Sequence, residues 1–144
     1  MKQEYIPALR FHWLTNIYDW LISNFMPEKQ FKQQLLNNAD IKESDKVLDF
    51  GVGTATLSIM AYQNNSKAIY TGIDVDGKIL ELANEKIRNS NAHIKTIQYA
   101  GKELPFDNGT YNRVITSLVI HHLTDEQKKI TFQEVYRILK PNGE

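Results

Sequence analysis

Cysteine is absent from all 144 residues. Disulfides, thiolate metal sites and a thiol nucleophile are therefore excluded. An excess of either charge is absent too: 17 Lys and Arg stand against 17 Asp and Glu, and the isoelectric point is about 6.9. No global field draws this chain to nucleic acid or to an anionic membrane. No apolar run reaches the 18 residues that suggest a membrane span, and Met1-Lys2-Gln3-Glu4 offers no signal-peptide core. Repeats and low-complexity tracts are lacking as well. The expectation is a single soluble cytoplasmic domain, long enough to bury a core.

What stands out is Val47-Leu48-Asp49-Phe50-Gly51-Val52-Gly53-Thr54-Ala55-Thr56-Leu57, an apolar strand end running into a glycine-spaced turn that opens a helix. A second strand, Ala68 to Asp74, ends on a carboxylate. In a parallel βαβ unit both strand ends reach the same sheet edge, where such folds bind ligands. Glycine lets the backbone approach a ligand where a side chain would collide. Asp74 is placed to accept hydrogen bonds from two vicinal hydroxyls, as on a ribose, so an adenosine-type cofactor is expected. A dinucleotide fingerprint needs Gly or Ala at the sixth position, and here Thr56 stands there. That spacing argues against a nicotinamide-dependent dehydrogenase. The 23 positions from Gly51 to Asp74 are close to the roughly 20 of a ribose-binding carboxylate.

Gly51, Gly53 and Ala55, with Asp49 two before the first glycine, resemble the first motif of class I S-adenosylmethionine-dependent methyltransferases. Ala55 stands where the family has a third glycine. Gly101 to Asp107, which contains Leu104-Pro105-Phe106, resembles the family's third signature, although Ala100 and Gly101 replace its acidic-small pair. Tyr111 to Ser117 looks like the fourth strand, and Leu118 to Leu123 like the segment after it. Arg137-Ile138-Leu139-Lys140-Pro141-Asn142-Gly143 is similar to the "R-x-L-K-P-G-G" turn. The resemblance covers about residues 40 to 144 and is nearest to small-molecule members such as the quinone-biosynthesis methyltransferases. It implies a Rossmann-like doubly wound parallel α/β sheet and S-adenosylmethionine as cofactor. For the cofactor it implies Asp49, Gly51, Val52, Gly53, Asp74 and Val75, and further along Gly101, Lys102 and Ser117. Family members continue with about three more strands, so a C-terminally truncated chain is expected. Its fourth strand would be an open edge prone to self-association.

The coarse organisation is an N-terminal helical lid segment over 1–40 and a cofactor-binding core over 41–144. Phe11, Leu14, Tyr18, Leu21, Ile22 and Phe25 form an apolar stripe at helical spacing. Pro27 suits the first turn of a second helix, with Phe31, Leu35 and Leu36 inward. Helices are expected from Thr54 to about Tyr62 and from Gly77 to Arg88. Strands are expected near Ile94 to Tyr99 and Arg113 to Ser117. Thr124-Asp125-Glu126-Gln127 reads as a capping box. The helix after it should face inward through Phe132, Val135, Tyr136 and Leu139. Asp76 reads as a helix N-cap.

Methyl transfer from a sulfonium needs binding, orientation and a dry site more than an acid–base pair. That fits a chain with a cofactor signature and no evident catalytic one. A base is required only where the acceptor must lose a proton. The candidates are His121 and His122, just after the fourth strand, and Tyr18, a lid aromatic over the cofactor by resemblance. The competing reading packs one histidine against the next helix, leaves the other in water, and makes Tyr18 an ordinary packing residue. No metal is expected, since adjacent histidines diverge and no carboxylate set accompanies them. The function expected is methyl transfer to a small molecule. The alternative is a non-catalytic module binding an adenosyl ligand or a protein partner.

Overall fold

The structure, a computed structural model, describes residues 28–144. The stripe from Phe11 to Phe25, Tyr18 included, lies outside the described residues. Helix α1 spans Glu28–Ala39 and is followed by strand β1, Lys46–Phe50. Helix α2 spans Thr56–Asn64, β2 Ile69–Asp74, α3 Gly77–Asn89 and β3 Ile94–Gln98. Strand β4, Arg113–Ile115, leads through a 3-10 turn, Ile120–His122, into helix α4, Asp125–Ile138.

The four strands lie in the order β3-β2-β1-β4, and every pair is parallel. Chain order therefore reverses between β1 and β4. In sheets wound this way the reversal leaves a crevice beyond the carboxyl ends of the strands. Strand β1 is central and loses water on both faces. Val47 packs with Leu36, Leu57 and Tyr70 under α1 and α2. Its neighbour Leu48 points the other way, into a cluster with Phe50, Ile73, Leu104 and Ile138. This alternation produces the near-continuous apolar run Val47-Leu48 on either side of which helices must pack. Among the described residues no helix is long and apolar enough to cross a membrane.

Two element boundaries fall inside the expected ones, for the same reason. Helix α2 begins at Thr56 rather than Thr54 because Ala55 sits in the left-handed region, at φ 62°. Strand β4 ends at Ile115 rather than Ser117, and the chain turns at Leu118, where φ is 60°. The caps of the later helices are as expected. Asp76 accepts from the Lys78 and Ile79 amides, and Thr124 and Gln127 close a reciprocal box.

The expected inward faces of two helices need correction. In α1 Leu36 is buried and Leu35 partly so, but Phe31 is exposed. In α4 Phe132 and Tyr136 face solvent, at 57% and 84% exposure, while Ile138 is fully buried and Val135 packs beside it. The inward stripe of α4 is instead shared with polar work. Gln127, Ile130 and Thr131 line a cavity, and Glu134 and Arg137 hold a loop. With those positions turned inward, a 100° step per residue carries Phe132 and Tyr136 outward.

The outer edge of β4 is less open than the sequence suggests. The Tyr111 amide donates to the Ile138 carbonyl, and the Lys140 amide donates back to Tyr111. Glu144 then donates to the Asn112 carbonyl and accepts from the Val114 amide. The segment after α4 thus pairs with part of the edge that was expected to be bare.

Arg137 links two motifs that are far apart in sequence. Its guanidinium donates to the carbonyls of Leu104 and Phe106 and to Asn108, and is paired with Glu134 at 2.7 Å. Glu134 also accepts from the Leu104 amide, and Arg137 holds its carboxyl below the usual carboxylate range. The Leu-Pro-Phe loop is therefore clamped by the helix that precedes the Lys140-Pro141 turn. Charge-assisted and forked bonds of this kind are the strong ones. Arg137→Ala is expected to destabilise the fold by about 2 kcal/mol, read in urea denaturation. Arg137→Lys should recover less than half, because a point charge cannot reproduce the fork.

Candidate functional site

A cavity of about 350 Å³ opens beyond the carboxyl ends of β1, β2 and β4. It lies at the reversal of strand order. Each wall comes from a segment that leaves a strand. Phe50, Gly51 and Gly53 follow β1; Asp74, Val75 and Asp76 end β2; Tyr99, Gly101 and Lys102 follow β3. Ser117, Leu118, Val119 and His122 come from the turn after β4, and Leu123, Gln127, Ile130 and Thr131 from the start of α4.

The glycine turn is built by the backbone of β2. The amides of Gly51 and Val52 both donate to the Ile73 carbonyl at 2.9 Å. Gly51 has φ +72°, and a Cβ there would stand 2.4 Å from a Val119 methyl. That glycine is demanded by packing against the segment after β4. Gly53 differs. Its φ is +53°, yet a Cβ would meet nothing within 4 Å. Its amide donates to Asp74 Oδ2 at 3.1 Å. The other Asp74 oxygen accepts from the Asp76 amide, also at 3.1 Å. A half-buried carboxylate thus fixes both the glycine turn and the start of α3, and keeps lone pairs for a ligand.

Of the residues expected at a cofactor, the cavity brings together Gly51, Gly53, Asp74, Val75, Gly101, Lys102 and Ser117. Asp49 and Val52 are not in its lining. Val52 is buried, with its methyls against Gly72 and its neighbours in the core between α2 and α3. Asp49 is 3% exposed and accepts a 2.6 Å hydrogen bond from Ser58. Burial pushes its carboxyl up to about 6, against the opposing pull of Ser58 and Lys32 and with Asp74 adding to the rise. Sequence reading missed Phe50, Tyr99, Ile79 and the α4 residues. Only the helical spacing of Gln127, Ile130 and Thr131 could have signalled the last group.

Past β4 the chain is strained. Leu118 adopts φ 60°, which costs a branched L-residue roughly 1–2 kcal/mol. Such outliers concentrate at ligand-contacting turns. Next to it, Ser117 Oγ is buried without a hydrogen-bond partner. An orphaned buried hydroxyl lining a cavity is unusual in a folded protein. The rings of His121 and His122 lie against each other, tilted by 41° with centroids 3.9 Å apart. His122 lines the cavity, and burial together with the neighbouring His121 holds its imidazole below the ordinary value. His93, by contrast, packs edge-on to Tyr62. Among the described residues no group of three or more His, Asp or Glu could hold a metal ion.

Residues 47–143 match the methyltransferase domain family, and the chain belongs to it. It is 31% identical over 148 residues to the ubiquinone/menaquinone biosynthesis C-methyltransferase UbiE of Blochmanniella floridana, covering 98% of this chain and 57% of that one. It is 26% identical over 147 residues to the demethylmenaquinone methyltransferase of Listeria welshimeri, covering 99% and 61%. The chain therefore spans somewhat more than half the length of these curated relatives. Among solved structures, the PH0226 protein of Pyrococcus horikoshii superposes with a TM-score of 0.72 at 24% identity, over 81% of this chain and 54% of that one. A SAM-dependent methyltransferase of Aquifex aeolicus gives 0.68 at 20% identity, over 76% and 58%. These likenesses establish the Rossmann-like fold.

Proposed function

We propose that this chain binds S-adenosylmethionine and transfers its methyl group to a small, largely apolar acceptor. The observation that carries the reading is Asp74, at the carboxyl end of β2, bonded to the Gly53 amide at the wall of the cavity. A group with vicinal hydroxyls fits that carboxylate. The residues present also suit the rest of the cofactor. Gly53 leaves open space beside the turn, Ser117 offers an unused hydroxyl, and Tyr99 and Val75 supply apolar surface near Gly101. When bound, the cofactor supplies a methyl group already activated on a sulfonium. The protein's part is to hold it, to orient the acceptor and to keep water out.

The names of the UbiE and demethylmenaquinone methyltransferase relatives favour a quinone precursor or a similar lipophilic metabolite as acceptor. Zero formal charge supports a small molecule over a nucleic acid. The reading places the reaction in the cytoplasm, with self-association through whatever edge of β4 stays open.

Titration calorimetry tests the cofactor. S-adenosylhomocysteine is expected to bind at micromolar Kd and NAD not at all. Binding of NAD alone, or of neither up to millimolar concentration, sinks the reading.

A further inference from the structure

One wall of the cavity is held differently from the rest. The glycine turn and the starts of α3 and α4 are tied down by hydrogen bonds of their own. Residues 100–103, which bring Gly101 and Lys102 to the lining, are exposed and make no hydrogen bond to another described residue. Gly101 sits at φ +80°, yet a Cβ there would meet only a Val75 methyl at 3.5 Å, an ordinary contact. Backbone direction, not crowding, calls for that glycine, so the strap turns at a point that is free to move. It is pinned at its two ends. Upstream, the Tyr99 amide donates to the Asp74 carbonyl at 3.1 Å. Downstream, one ion pair grips both backbone groups of Leu104. Its amide donates to Glu134 Oε2 at 2.7 Å, and its carbonyl accepts from Arg137 at 3.0 Å. Arg137 in turn donates to both Glu134 oxygens, at 2.8 and 2.7 Å. Earlier turns of the same helix supply Gln127, Ile130 and Thr131 to the lining. One rigid element therefore forms one stretch of the wall and pins another.

We propose that Glu134 and Arg137 are a positioning pair for the ligand site. Neither residue lines the cavity. By pinning Leu104 they hold Gly101 and Lys102 in the wall, and so set how tightly a ligand bound at Asp74 is gripped. The inference rests on the cofactor reading above. An unpinned strap would have to be ordered at each binding event, and that ordering is subtracted from affinity.

In the full chain, Arg137→Ala should weaken S-adenosylhomocysteine binding about tenfold by calorimetry. Tyr70→Phe is the control for a mere loss of stability. The Tyr70 hydroxyl is shared between the carbonyls of Ala61 and Asn65, in the core cluster under α1 and α2 rather than the one holding Leu104. Removing it also costs stability, but binding should stay within about twofold of the unaltered chain. NMR relaxation of the backbone amides, without ligand, gives the second readout. Order parameters of Gly101, Lys102 and Glu103 should fall in Arg137→Ala and not in Tyr70→Phe. Should Arg137→Ala fail to fold, Arg137→Lys keeps the charge without the fork, and binding about fivefold weaker is expected. Unchanged order parameters, or affinity within about twofold of the unaltered chain in a folded Arg137 variant, overturns the inference. Equal weakening in Tyr70→Phe overturns it as well. Failure of the cofactor reading looks different. The unaltered chain would then not bind S-adenosylhomocysteine while the strap still loosens in Arg137→Ala, which sinks the cofactor and leaves the pin standing.

Discussion

Asp74→Ala is expected to weaken S-adenosylhomocysteine binding by about 100-fold, or roughly 3 kcal/mol. Two losses combine. The ligand loses an anionic acceptor, and hydrogen bonds to charged groups are worth about 1.5–3 kcal/mol each. The amides of Gly53 and Asp76 also lose their shared partner, so the glycine turn and the start of α3 are no longer tied together. Asp74→Asn should not rescue the site. The two carboxylate oxygens accept from two different amides, and an asparagine has a single acceptor oxygen. Either orientation of the amide therefore sets an NH2 against an N–H. Calorimetry and urea melts on the same preparations separate the two parts. Binding within threefold of the unaltered chain in Asp74→Ala would remove this carboxylate from the ligand's contacts.

The strand-turn-helix core was legible because its signals are local. Glycine spacing, a carboxylate at a strand end and a capping box each need only a few neighbouring residues to be read. The cavity lining from Gly51 to Val75 follows from those signals. Two kinds of feature were not legible. Left-handed residues at Ala55 and Leu118 delay the start of a helix and follow the early end of a strand, and neither residue type announces a positive φ. The inward face of α4 was misjudged because large apolar side chains, Phe132 and Tyr136, suggested a buried stripe. The helix turns instead on Arg137 and Glu134, whose partners lie about 30 residues earlier in the Leu-Pro-Phe loop. Long-range polar clamps leave no periodic trace in sequence. Gly51 shows a subtler mismatch. The motif invites a ligand-based explanation, whereas the Val119 methyls supply a packing one.

Asp49→Asn is expected to stabilise the protein at pH 7.5 by up to about 3 kcal/mol, and to do so in a pH-dependent way. Asp49 is buried, and burial lifts its carboxyl to about 6, above the ordinary 3.8 of an aspartate in water. The fold thus prefers the protonated carboxyl. Above pH 6 the folded chain must carry a buried anion, and the full cost of two pKa units, at about 1.4 kcal/mol each, is in force. Between pH 6 and 4 the folded state binds a proton that the unfolded state does not, so this residue's contribution to stability improves as pH falls. Below pH 4 both states are protonated and the cost is gone. An asparagine is neutral throughout and keeps an oxygen to accept from Ser58. Its advantage over the unaltered chain should therefore be largest at pH 7.5 and should vanish near pH 4. Urea denaturation at both values measures it. A neutral or destabilising effect at pH 7.5 would mean that Ser58 and Lys32 together hold the carboxylate as strongly as burial penalises it, and that the Asp49 carboxyl is not raised. If the stabilised variant also binds S-adenosylhomocysteine more weakly, then Asp49 is a charge kept at the expense of stability for the site beside it. Destabilised groups of this kind are characteristic of functional sites rather than of cores.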